Sequence, residues 1–518
     1  MNKGIVRVCG VLIAAVLAGC TTGFVPENEA PRNATLKTAG GPLVQAHRGS
    51  RHEYDDNALG GFRWCLKKGI RGFEVDLKYT KDHRIVVMHD TDVARTTDGV
   101  GRVEDLTLDE IRRFRLKASS EPVPTLDELL DVLGGRPDIF VEFEMKVQPD
   151  GFYTGHKVLP EFCREICRTV EARMAKGTYC FTAWSPYTLK TFRKVNPTAP
   201  LGFIIVEAMT DVDLGMAKAL GCCSVAPTID TPKEMVDKAH ATGMSVCLWP
   251  TPDLESYERA KALGADRVTT DYAYLLERAI RGNRKKLVAM DLDATLCQHR
   301  SPIPPENLKA LDALMGKYRC VMVGAGNAPR IYRQMGNYPI EISGNYGMQE
   351  SEIRDGKFVI VRAVTNEVDR AFFREKTDYL RKKYGYTEYE GEPLEFHASG
   401  MVTFGLLGTS PSAEHKVAFD PDRKKRRAMY KEVCEIFKDY SVYIGGSTSF
   451  DFAGKRYNKY DATLDWAKRH GYTLEDIVFI GDDFADGGGD SHVRIKGMDH
   501  IVIDDYRNFH EAVSVLLK

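Results

Sequence analysis

The sequence has almost no net charge, no internal repeat and no membrane-spanning apolar run, and these absences exclude several classes of protein. Its 72 basic and 73 acidic residues nearly balance, so no charge excess favours nucleic acid or a broad electrostatic contact with a membrane. The apolar stretch near the N terminus is too short to span a bilayer as a permanent helix. With 518 residues, 43% of them apolar, the chain instead predicts two or three globular domains with ample core.

Twelve cysteines are present, but their spacing does not form the framework of a disulfide-rich protein. Cys222 and Cys223 are adjacent, and no C-x-x-C pair indicates a zinc site. We therefore expect mostly buried free thiols, with a bridge that involves Cys163 or Cys167 as the alternative.

The first twenty residues, MNKGIVRVCGVLIAAVLAGC, carry two basic residues before a short apolar stretch, which is typical of an export signal. The ending Leu-Ala-Gly-Cys resembles the lipobox of bacterial lipoproteins, which implies that Cys20 is lipidated and becomes the mature N terminus. Residues 21–42 would then form a flexible tether. We expect an exported protein anchored by lipid in the bacterial cell envelope, at the outer membrane or periplasm of a Gram-negative source. An ordinary cleaved signal is the alternative.

Between residues 43 and 280, short apolar strands alternate with amphipathic helices. About eight strands in such an alternation predict a parallel TIM barrel. The segment IVVMHD (85–90) is expected to add a strand after the second barrel strand. The predicted barrel strands are LVQAHR, FEVDLKY, FVEFEMK, YCFTAWS, LGFII, CSVAP, SVCLWP and DRVTTD.

A basic connector, RGNRKK (281–286), leads into a second α/β pattern over 287–518. The segments LVAMDLDATL, RCVMVGAG, VYIGGS and DIVFIGDD predict strands of a doubly wound sheet. The segment between these strands has a different pattern of apolar residues, which predicts an inserted α+β cap. We therefore expect a core at 287–344 and 441–518 and a cap at 345–440.

Polar residues occur at the carboxyl ends of the first predicted barrel strands, where the catalytic side chains of such barrels gather. Glu74 and Asp76 are two residues apart and point to one face of their strand, and Glu144 lies on the next barrel strand. Together the three carboxylates could form an oxygen-rich site of the kind that Ca²⁺ or Mg²⁺ prefers. His47 and His89 could flank the metal as acid and base, because imidazole titrates near neutrality.

Five ordered blocks carry these residues: AHRGSRHEYDDNALGGF, FEVDLKYTKDHRIVVMHD, RTTDGVGRVEDLTLDEI, VPTLDELL and EFEMK. In them the region 43–280 resembles glycerophosphodiester phosphodiesterases. The resemblance implies catalytic roles for His47 and His89, metal binding by Glu74, Asp76 and Glu144, and substrate contacts from Arg48, Lys146 and Asn57. Asn57 matches the family's Glu-Asn-Thr block, in which Asp56 and Ala58 replace the flanking residues.

The resemblance implies metal-dependent hydrolysis of small glycerophosphodiesters to glycerol 3-phosphate and an alcohol. Ca²⁺ or Mg²⁺ would neutralise charge on the phosphate. One histidine would remove the proton of the attacking oxygen, and the other would protonate the leaving alkoxide. The attacker could be water or the glycerol hydroxyl of the substrate, through a cyclic phosphate.

The segment VAMDLDATL (288–296) places two aspartates, one residue apart, and then a threonine after an apolar strand. This pattern resembles the D-x-D-x-T motif of haloacid dehalogenase-type phosphotransferases. The resemblance implies that Asp291 attacks phosphorus, that Asp293 protonates the leaving group and that Lys459 offsets negative charge. A Mg²⁺ site formed by Asp291, Asp293, Asp482, Asp483 and Asp490 is expected.

Three more blocks, EFHASGMVTFGLLGT, IGGSTSFDFAGKRYNKYDA and GDDFADGGGD, resemble the phosphomannomutase branch, and the resemblance covers 287–518. In VGAGN (323–327), Gly326 stands where that branch has a phosphate-binding serine. His397 and Thr409 stand where the mutases place arginines for the sugar phosphate. These departures favour a phosphatase with a different substrate over a mutase.

Three accounts of the whole chain follow. In the favoured account, the barrel cleaves glycerophosphodiesters, and the second domain removes phosphate from the product or from another small phosphoester. In the second, only the barrel is catalytic and the C-terminal domain is a degenerate binding or structural module. In the third, the barrel cleaves intact lipids such as lysophospholipids near its own membrane anchor.

Overall fold

The computed structural model of the protein describes residues 40–148, 151–154, 158–421 and 423–518. The predicted signal, Cys20 and nearly all of the predicted tether lie outside these residues. Within the described ranges, no helix combines the length and the apolar character needed to cross a bilayer. All ten cysteines in the same ranges are free thiols, so the bridge considered for Cys163 or Cys167 is not formed.

The first half of the chain forms a closed barrel of eight parallel strands with one added strand, which confirms the predicted TIM-barrel architecture. Its strands are β1 (Leu43–Ala46), β2 (Gly72–Tyr79), β3 (Ile85–Val87), β4 (Phe140–Met145), β5 (Tyr179–Ala183), β6 (Leu201–Ile204), β7 (Ser224–Ala226), β8 (Ser245–Leu248) and β9 (Arg267–Thr270). Because β1 pairs with both β9 and β2, the ring is closed. The added strand β3 pairs antiparallel with β2.

Helices between the strands cover the barrel, and several begin at a capping box, in which a threonine and an acidic residue three positions later exchange hydrogen bonds. Thr125 with Glu128 and Thr210 with Asp213 are two examples. The helices are α1 (Leu59–Lys67), α2 (Leu108–Ile111), α3 (Leu126–Leu133), α4 (Gly151–Thr154), α5 (Val158–Glu171), α6 (Pro186–Val195), α7 (Asp211–Ala219), α8 (Lys233–Ala241), α9 (Leu254–Leu263) and α10 (Ala273–Ile280).

The register of the barrel strands brings the candidate carboxylates side by side. Strands β2 and β4 pair so that Asp76 lies opposite Glu144 and Glu74 lies opposite Glu142. Because side chains alternate along a strand, Glu74 and Asp76 share one face. His47 directly follows β1, so it begins at the same carboxyl edge of the barrel. We call this edge the barrel mouth.

Residues 287–518 form a second α/β unit built on a seven-stranded sheet and a four-stranded sheet. Their strands are β10 (Leu287–Met290), β11 (Arg319–Val323), β12 (Glu341–Gly344), β13 (Gln349–Arg354), β14 (Lys357–Ala363), β15 (Leu394–Phe396), β16 (Val402–Gly405), β17 (Tyr440–Tyr443), β18 (Ser449–Gly454), β19 (Ile477–Gly481) and β20 (His500–Val502). The seven-stranded sheet has the order β14-β13-β12-β11-β10-β19-β20. Its last five strands in this order, β12, β11, β10, β19 and β20, run parallel.

The helices of this half cover its two sheets. They are α11 (Pro305–Lys317), α12 (Ala328–Gln334), α13 (Arg370–Tyr384), α14 (Ala413–Phe419), α15 (Lys424–Ile436), α16 (Lys459–Arg469), α17 (Ser491–Ile495), α18 (Phe509–Ala512) and α19 (Ser514–Leu517).

The four-stranded antiparallel sheet belongs to the cap, and its order is β15-β16-β18-β17. The segment VYIGGS begins with the last two residues of β17, so its predicted place in the doubly wound sheet is wrong. Conversely, β13 and β14 fall within the predicted cap range yet extend the core sheet. Strand β17 belongs to the cap because its Val442 packs with cap residues such as Phe373 and Met429. A short apolar strand shows that its side chains are buried but does not show against which partner.

The two halves of the chain pack directly against each other. Tyr272 and Leu275 from the end of the barrel join the apolar core of the seven-stranded sheet. Lys68 of the barrel and Lys285 of the connector both pair with Asp499, each at 2.5 Å. The domains therefore share an interface of apolar and charged contacts.

Candidate active sites

Glu74, Asp76 and Glu144 place carboxylate oxygens within 4.8 Å of one another at the barrel mouth. All three residues are buried, and Glu74 Oε1 and Asp76 Oδ1 have no hydrogen-bond partner. Burial and the neighbouring carboxylates raise the pKa of Glu74 well above its usual range. Crowded carboxylate oxygens without hydrogen bonds suit a hard divalent cation, which would favour their ionised form. The residues present therefore fit Ca²⁺ or Mg²⁺.

Two cations border these carboxylates. Lys146 Nζ lies 2.7 Å from Glu144 and 3.3 Å from Asp76. Arg48 Nε lies 3.3 Å from Asp76, and the Arg48 backbone N–H donates to Glu74 at 3.1 Å. Burial acts to raise the pKa of Asp76, but Lys146 and Arg48 outweigh it and lower the pKa. The mouth thus holds both hard anionic ligands and cations that suit a phosphate group.

His47 is oriented by Asp271, which follows the last barrel strand. His47 Nδ1 lies 2.6 Å from Asp271 Oδ1, while His47 Nε2 lies 3.8 Å from Glu74 Oε2. With Nδ1 donating to Asp271, the Nε2 lone pair faces the carboxylate cluster and can accept a proton. Burial and the nearby Arg48 lower the pKa of His47 against the opposing effect of Asp271. A histidine that is neutral at rest suits the role of a base.

His89 has the same kind of support. Its Nδ1 lies 2.7 Å from Asp90 Oδ1, and Arg95 pairs with the other oxygen of Asp90. Arg95 also lies 2.5 Å from Asp56, whose carboxylate is 3.1 Å from Arg48. Asp56, the residue that replaces a glutamate of the family block, therefore links two arginines and stands outside the carboxylate cluster.

Asn57, predicted to bind substrate, lies against the carboxylate cluster. Its Nδ2 donates to Asp76 Oδ2 at 2.8 Å, and the residue is only 2% exposed. Its positive φ of 56° is tolerated better by asparagine than by most residues. In this structure Asn57 positions Asp76, and its contact with substrate stays a prediction.

Asp90 and Asp271 are functional candidates that sequence reasoning missed. Asp90 directly follows His89, and Asp271 ends the predicted strand DRVTTD, so each stands where catalytic residues were expected. The signal for Asp271 was its place at a strand end. Its pairing with His47 depends on the closure of the barrel. Closure makes β1 and β9 neighbours, although they are the first and last barrel strands in the sequence.

The second cluster lies at the carboxyl edge of the seven-stranded sheet. Asp291, Asp482 and Asp490 place carboxylate oxygens within 4.8 Å of one another. Asp291 follows β10 and Asp482 follows its parallel neighbour β19. Lys459 Nζ lies 2.7 Å from both Asp291 and Asp490, and Thr295 Oγ1 donates to Asp482 at 2.9 Å. Three carboxylates against one lysine leave negative charge that fits a divalent cation such as Mg²⁺.

Burial raises the pKa of Asp291 to about 6, with Lys459 opposing and Asp490 adding to the rise. Burial and the same neighbouring carboxylates raise the pKa of Asp482 well above its usual range. At Lys459, burial acts to lower the pKa, but Asp291 and Asp490 raise it, so the lysine stays protonated. A bound cation would favour ionised Asp291, the form that a nucleophile requires.

Two of the five predicted Mg²⁺ ligands do not join this cluster. Asp483 lies 2.6 Å from Arg423 of the cap and stabilises the loop 482–490. Asp293 accepts a hydrogen bond from Gln334 Nε2 at 2.7 Å. The structure therefore brings together three of the predicted ligands and holds the other two by protein contacts.

Arg330 occupies the space beside Gly326, where the phosphomannomutase branch has its serine. A Cβ added to Gly326 would lie 2.1 Å from Arg330 Nη2, so the guanidinium takes this position only because residue 326 has no side chain, and a larger residue would require it to shift. Arg330 Nη2 lies 3.3 Å from Asp293, and Nη1 donates to Gln334 at 2.7 Å. Sequence reasoning identified the missing hydroxyl but not the cation that stands in its place.

Comparisons with known proteins agree with a two-part chain. Residues 47–275 match the model of the glycerophosphoryl diester phosphodiesterase family, and residues 366–487 match that of haloacid dehalogenase-like hydrolases. The two matches confirm the expected fusion of a glycerophosphodiester phosphodiesterase-like region with a haloacid dehalogenase-like region. Both families generally depend on divalent metal ions.

Individual relatives align with about half of the chain. A glycerophosphodiester phosphodiesterase of Caldanaerobacter subterraneus is 27% identical over 46% of this chain and 98% of its own length. One of Bacillus altitudinis is 24% identical over 46% of this chain and 96% of its own length. Among solved structures, an Oleispira antarctica phosphodiesterase in complex with the product sn-glycerol-3-phosphate is 22% identical, with a TM-score of 0.42, over 47% of this chain and 98% of that one.

Proposed function

Because the chain joins a glycerophosphoryl diester phosphodiesterase region to a haloacid dehalogenase-like hydrolase region, we propose that it hydrolyses glycerophosphodiesters to glycerol 3-phosphate and an alcohol. The observation that carries the proposal is the barrel mouth, where three carboxylates, two cations and two aspartate-supported histidines converge. The second cluster would remove phosphate from the product or from another small phosphoester.

The substrate phosphate would be bound by the groups around the carboxylate cluster. A divalent ion, Ca²⁺ or Mg²⁺, held by Glu74, Asp76 and Glu144 would offset negative charge on the diester. Arg48 and Lys146 border the same carboxylates and would donate charge-assisted hydrogen bonds to the free phosphate oxygens. These interactions strengthen as charge develops on phosphorus, so they would favour the transition state.

The two histidines would divide the proton transfers. His47 Nε2 would take the proton of the attacking oxygen, from water or from the glycerol hydroxyl, as the new P–O bond forms. Protonated His89 would give its Nε2 proton to the leaving alkoxide as the old P–O bond breaks. Asp271 and Asp90 each occupy the Nδ1 of one imidazole, so only Nε2 is left to exchange protons.

Release of glycerol 3-phosphate from glycerophosphocholine tests this step. His47→Ala and His89→Ala should each lower the rate by about 10²- to 10⁴-fold, the usual contribution of general acid–base catalysis. His240→Ala is the matched control, because His240 also pairs with an aspartate, Asp266 at 3.0 Å, at the opposite end of the barrel. Equal rates for wild type and His47→Ala would refute the proposal.

In the second step, Asp291 would attack phosphorus to form an aspartyl-phosphate as the P–O bond to the alcohol breaks and the alcohol leaves with a proton; water would then hydrolyse the aspartyl-phosphate to inorganic phosphate and free Asp291. Lys459 and Arg330 would offset the charge of the phosphoryl oxygens. Burial acts to raise the pKa of Asp293, but the hydrogen bond from Gln334 and the nearby cations lower it. Ionised Asp293 suits the base that activates water, and the predicted acid role requires it to gain a proton when substrate binds.

This second step is tested by supplying glycerol 3-phosphate and other small phosphoesters directly. Inorganic phosphate should appear with at least one of them, and Asp291→Asn should abolish its release. Asp465→Asn, an exposed aspartate of the same domain, is the control. If no ester releases phosphate, the C-terminal domain is a binding or structural module, as the second account of the chain holds.

Exposed apolar residues that follow β5 and β6 favour lysophospholipids as a second class of substrate. Tyr187, Val206 and Val212 lie after the carboxyl ends of β5 and β6 and are 55%, 64% and 60% exposed. Exposed apolar side chains near the mouth could pack against an acyl chain. Faster cleavage of lysophosphatidylcholine than of glycerophosphocholine, lost in Val206→Ser, would support this class. Equal or slower cleavage would refute it.

The proposed location is the cell envelope, with a lipid on Cys20 and residues 21–42 as the tether. The support is the Leu-Ala-Gly-Cys ending of the N-terminal segment. Labelled palmitate should enter the wild-type protein in its bacterial host and not the Cys20→Ser variant. Label in both proteins would refute the anchor.

A further inference from the structure

We propose that the C-terminal domain completes the catalytic site of the barrel, with residues 502–504 as a positioning segment for His47. The inference rests on the diesterase activity proposed above. It gives the second domain a part in the first reaction that does not depend on its own carboxylate cluster.

The positioning segment reaches the chain just after His47. The Val502 backbone N–H donates to the His52 carbonyl at 2.7 Å, and His52 Nδ1 lies 3.3 Å from the Val502 carbonyl. The His52 ring stacks on Tyr272 with ring centroids 5.2 Å apart. His52 is therefore held between the two domains.

The segment itself is fixed to the core of its own domain. Val502 is the last residue of β20, and the Ile503 N–H donates to the Gly481 carbonyl at the end of β19 at 2.8 Å. Asp504, the next residue, is thus presented to the barrel from a rigid sheet edge. A side chain held in this way can position its partner without a large loss of conformational entropy.

Arg51 carries the link from this segment to the catalytic histidine. Arg51 Nη2 lies 3.8 Å from Asp504, and Arg51 Nε lies 3.7 Å from Asp271 Oδ2. The other oxygen of Asp271 lies 2.6 Å from His47 Nδ1. Arg51 thus forms long ion pairs with Asp504 of the second domain and with Asp271, the carboxylate that orients His47, while its Nε is also 3.7 Å from Asp56.

Other contacts of the C-terminal domain enclose the same part of the barrel. The Arg494 guanidinium lies 5.0 Å from the centroid of the Tyr54 ring, three residues after Arg51. The Asp486 N–H donates to Ser120 Oγ at 3.1 Å. The contacts therefore extend along the loops of the mouth, and Arg51 belongs to a surface that the second domain covers.

The ion pairs of Asp499 provide a matched comparison with Asp504, because they join the two domains without a contact to Arg51. Asp499 pairs with Lys68 and Lys285, but it precedes β20, at the opposite end of the strand from Asp504. Asp499→Asn should lower the melting temperature and leave the kcat of the diesterase unchanged. Asp504 is 49% exposed, so Asp504→Asn should retain the wild-type melting temperature.

The test is the diesterase kinetics of the full-length protein with glycerophosphocholine. Asp504→Asn should lower kcat by about 2- to 5-fold, as expected for a partly exposed ion pair, at unchanged KM. Asp504→Glu should retain the wild-type kcat. In an Arg51→Ala background, Asp504→Asn should have no further effect, because the two residues act through one contact.

Each result decides between the proposals. Wild-type kcat in Asp504→Asn, or a loss that persists in the Arg51→Ala background, would overturn the positioning role. An inactive wild-type protein would instead overturn the diesterase proposal on which this inference rests.

Discussion

The substitution Asp271→Asn tests the role of the aspartate that orients His47. It keeps the size of the side chain and a carbonyl oxygen that can accept the Nδ1 proton, but it removes the negative charge 2.6 Å from the imidazole. A hydrogen bond to a charged group contributes about 1.5–3 kcal/mol. If that contribution is realised when His47 gains its proton, kcat should fall about 10- to 150-fold.

The assay is the initial rate of choline release from glycerophosphocholine at saturating substrate. Because Asp271 does not reach the carboxylate cluster, KM should change little. Asp266→Asn breaks a similar aspartate–histidine pair at the other end of the barrel and should leave kcat unchanged. An Asp271→Asn enzyme with wild-type kcat would refute the assignment of His47 as a proton acceptor held by Asp271.

Four further results are expected. Lys459→Met leaves the buried Asp490 and the partly buried Asp291 without their cation, so phosphatase activity should vanish and the free energy of unfolding, measured with urea, should fall by about 3 kcal/mol. Mg²⁺ or Ca²⁺ should raise the melting temperature of EDTA-treated protein, and Glu144→Gln should reduce that rise. Arg330→Ala should raise the KM for phosphoesters about tenfold or more, and Gly326→Ser should restore part of the affinity in that background, where the serine side chain has room without a shift of the guanidinium. Burial lowers the pKa of His500 to about 3, so its stabilising effect is complete above pH 6.5 and is lost as the pH falls towards 3. At pH 5 this loss is about 2 kcal/mol, and His500→Phe should reduce the difference in the free energy of urea unfolding between pH 7 and pH 5 by about that amount.

Each of these four predictions has an outcome that would refute it. These outcomes are unchanged stability of Lys459→Met, the same metal-induced rise in Glu144→Gln, a wild-type KM in Arg330→Ala, and an undiminished acid sensitivity in His500→Phe. His240→Gln is the control for the last measurement, because its hydrogen bond with Asp266 raises the pKa of His240. That histidine favours the folded state at low pH, so its removal should not reduce acid sensitivity.

The barrel could be predicted from sequence because its signals are local. Each strand is a short apolar run, and Thr125 with Glu128 marks a helix start by spacing alone. The cap could be predicted only in outline. Strand β17 looks like a core strand, and its partner β18 is known only once the chain has folded. Sequence periodicity shows which face is buried but not the sheet to which a strand belongs.

The same limit applies to the sites. Glu74 and Asp76 could be paired from their spacing, and Asp291 from its motif. Asp271 is far from His47 in sequence, so only barrel closure reveals the pair. Arg330 was hidden for another reason, because a glycine in a motif shows that a group is missing but does not show what fills its space.

The central claim is that two sites on one chain act in sequence, and one time course tests it most directly. Choline, glycerol 3-phosphate and inorganic phosphate are measured separately after glycerophosphocholine is added to wild type, His47→Ala and Asp291→Asn. The account predicts choline and then phosphate from wild type, neither from His47→Ala, and choline with accumulating glycerol 3-phosphate from Asp291→Asn. Phosphate release by Asp291→Asn, or choline without phosphate from wild type, would contradict the sequential reaction.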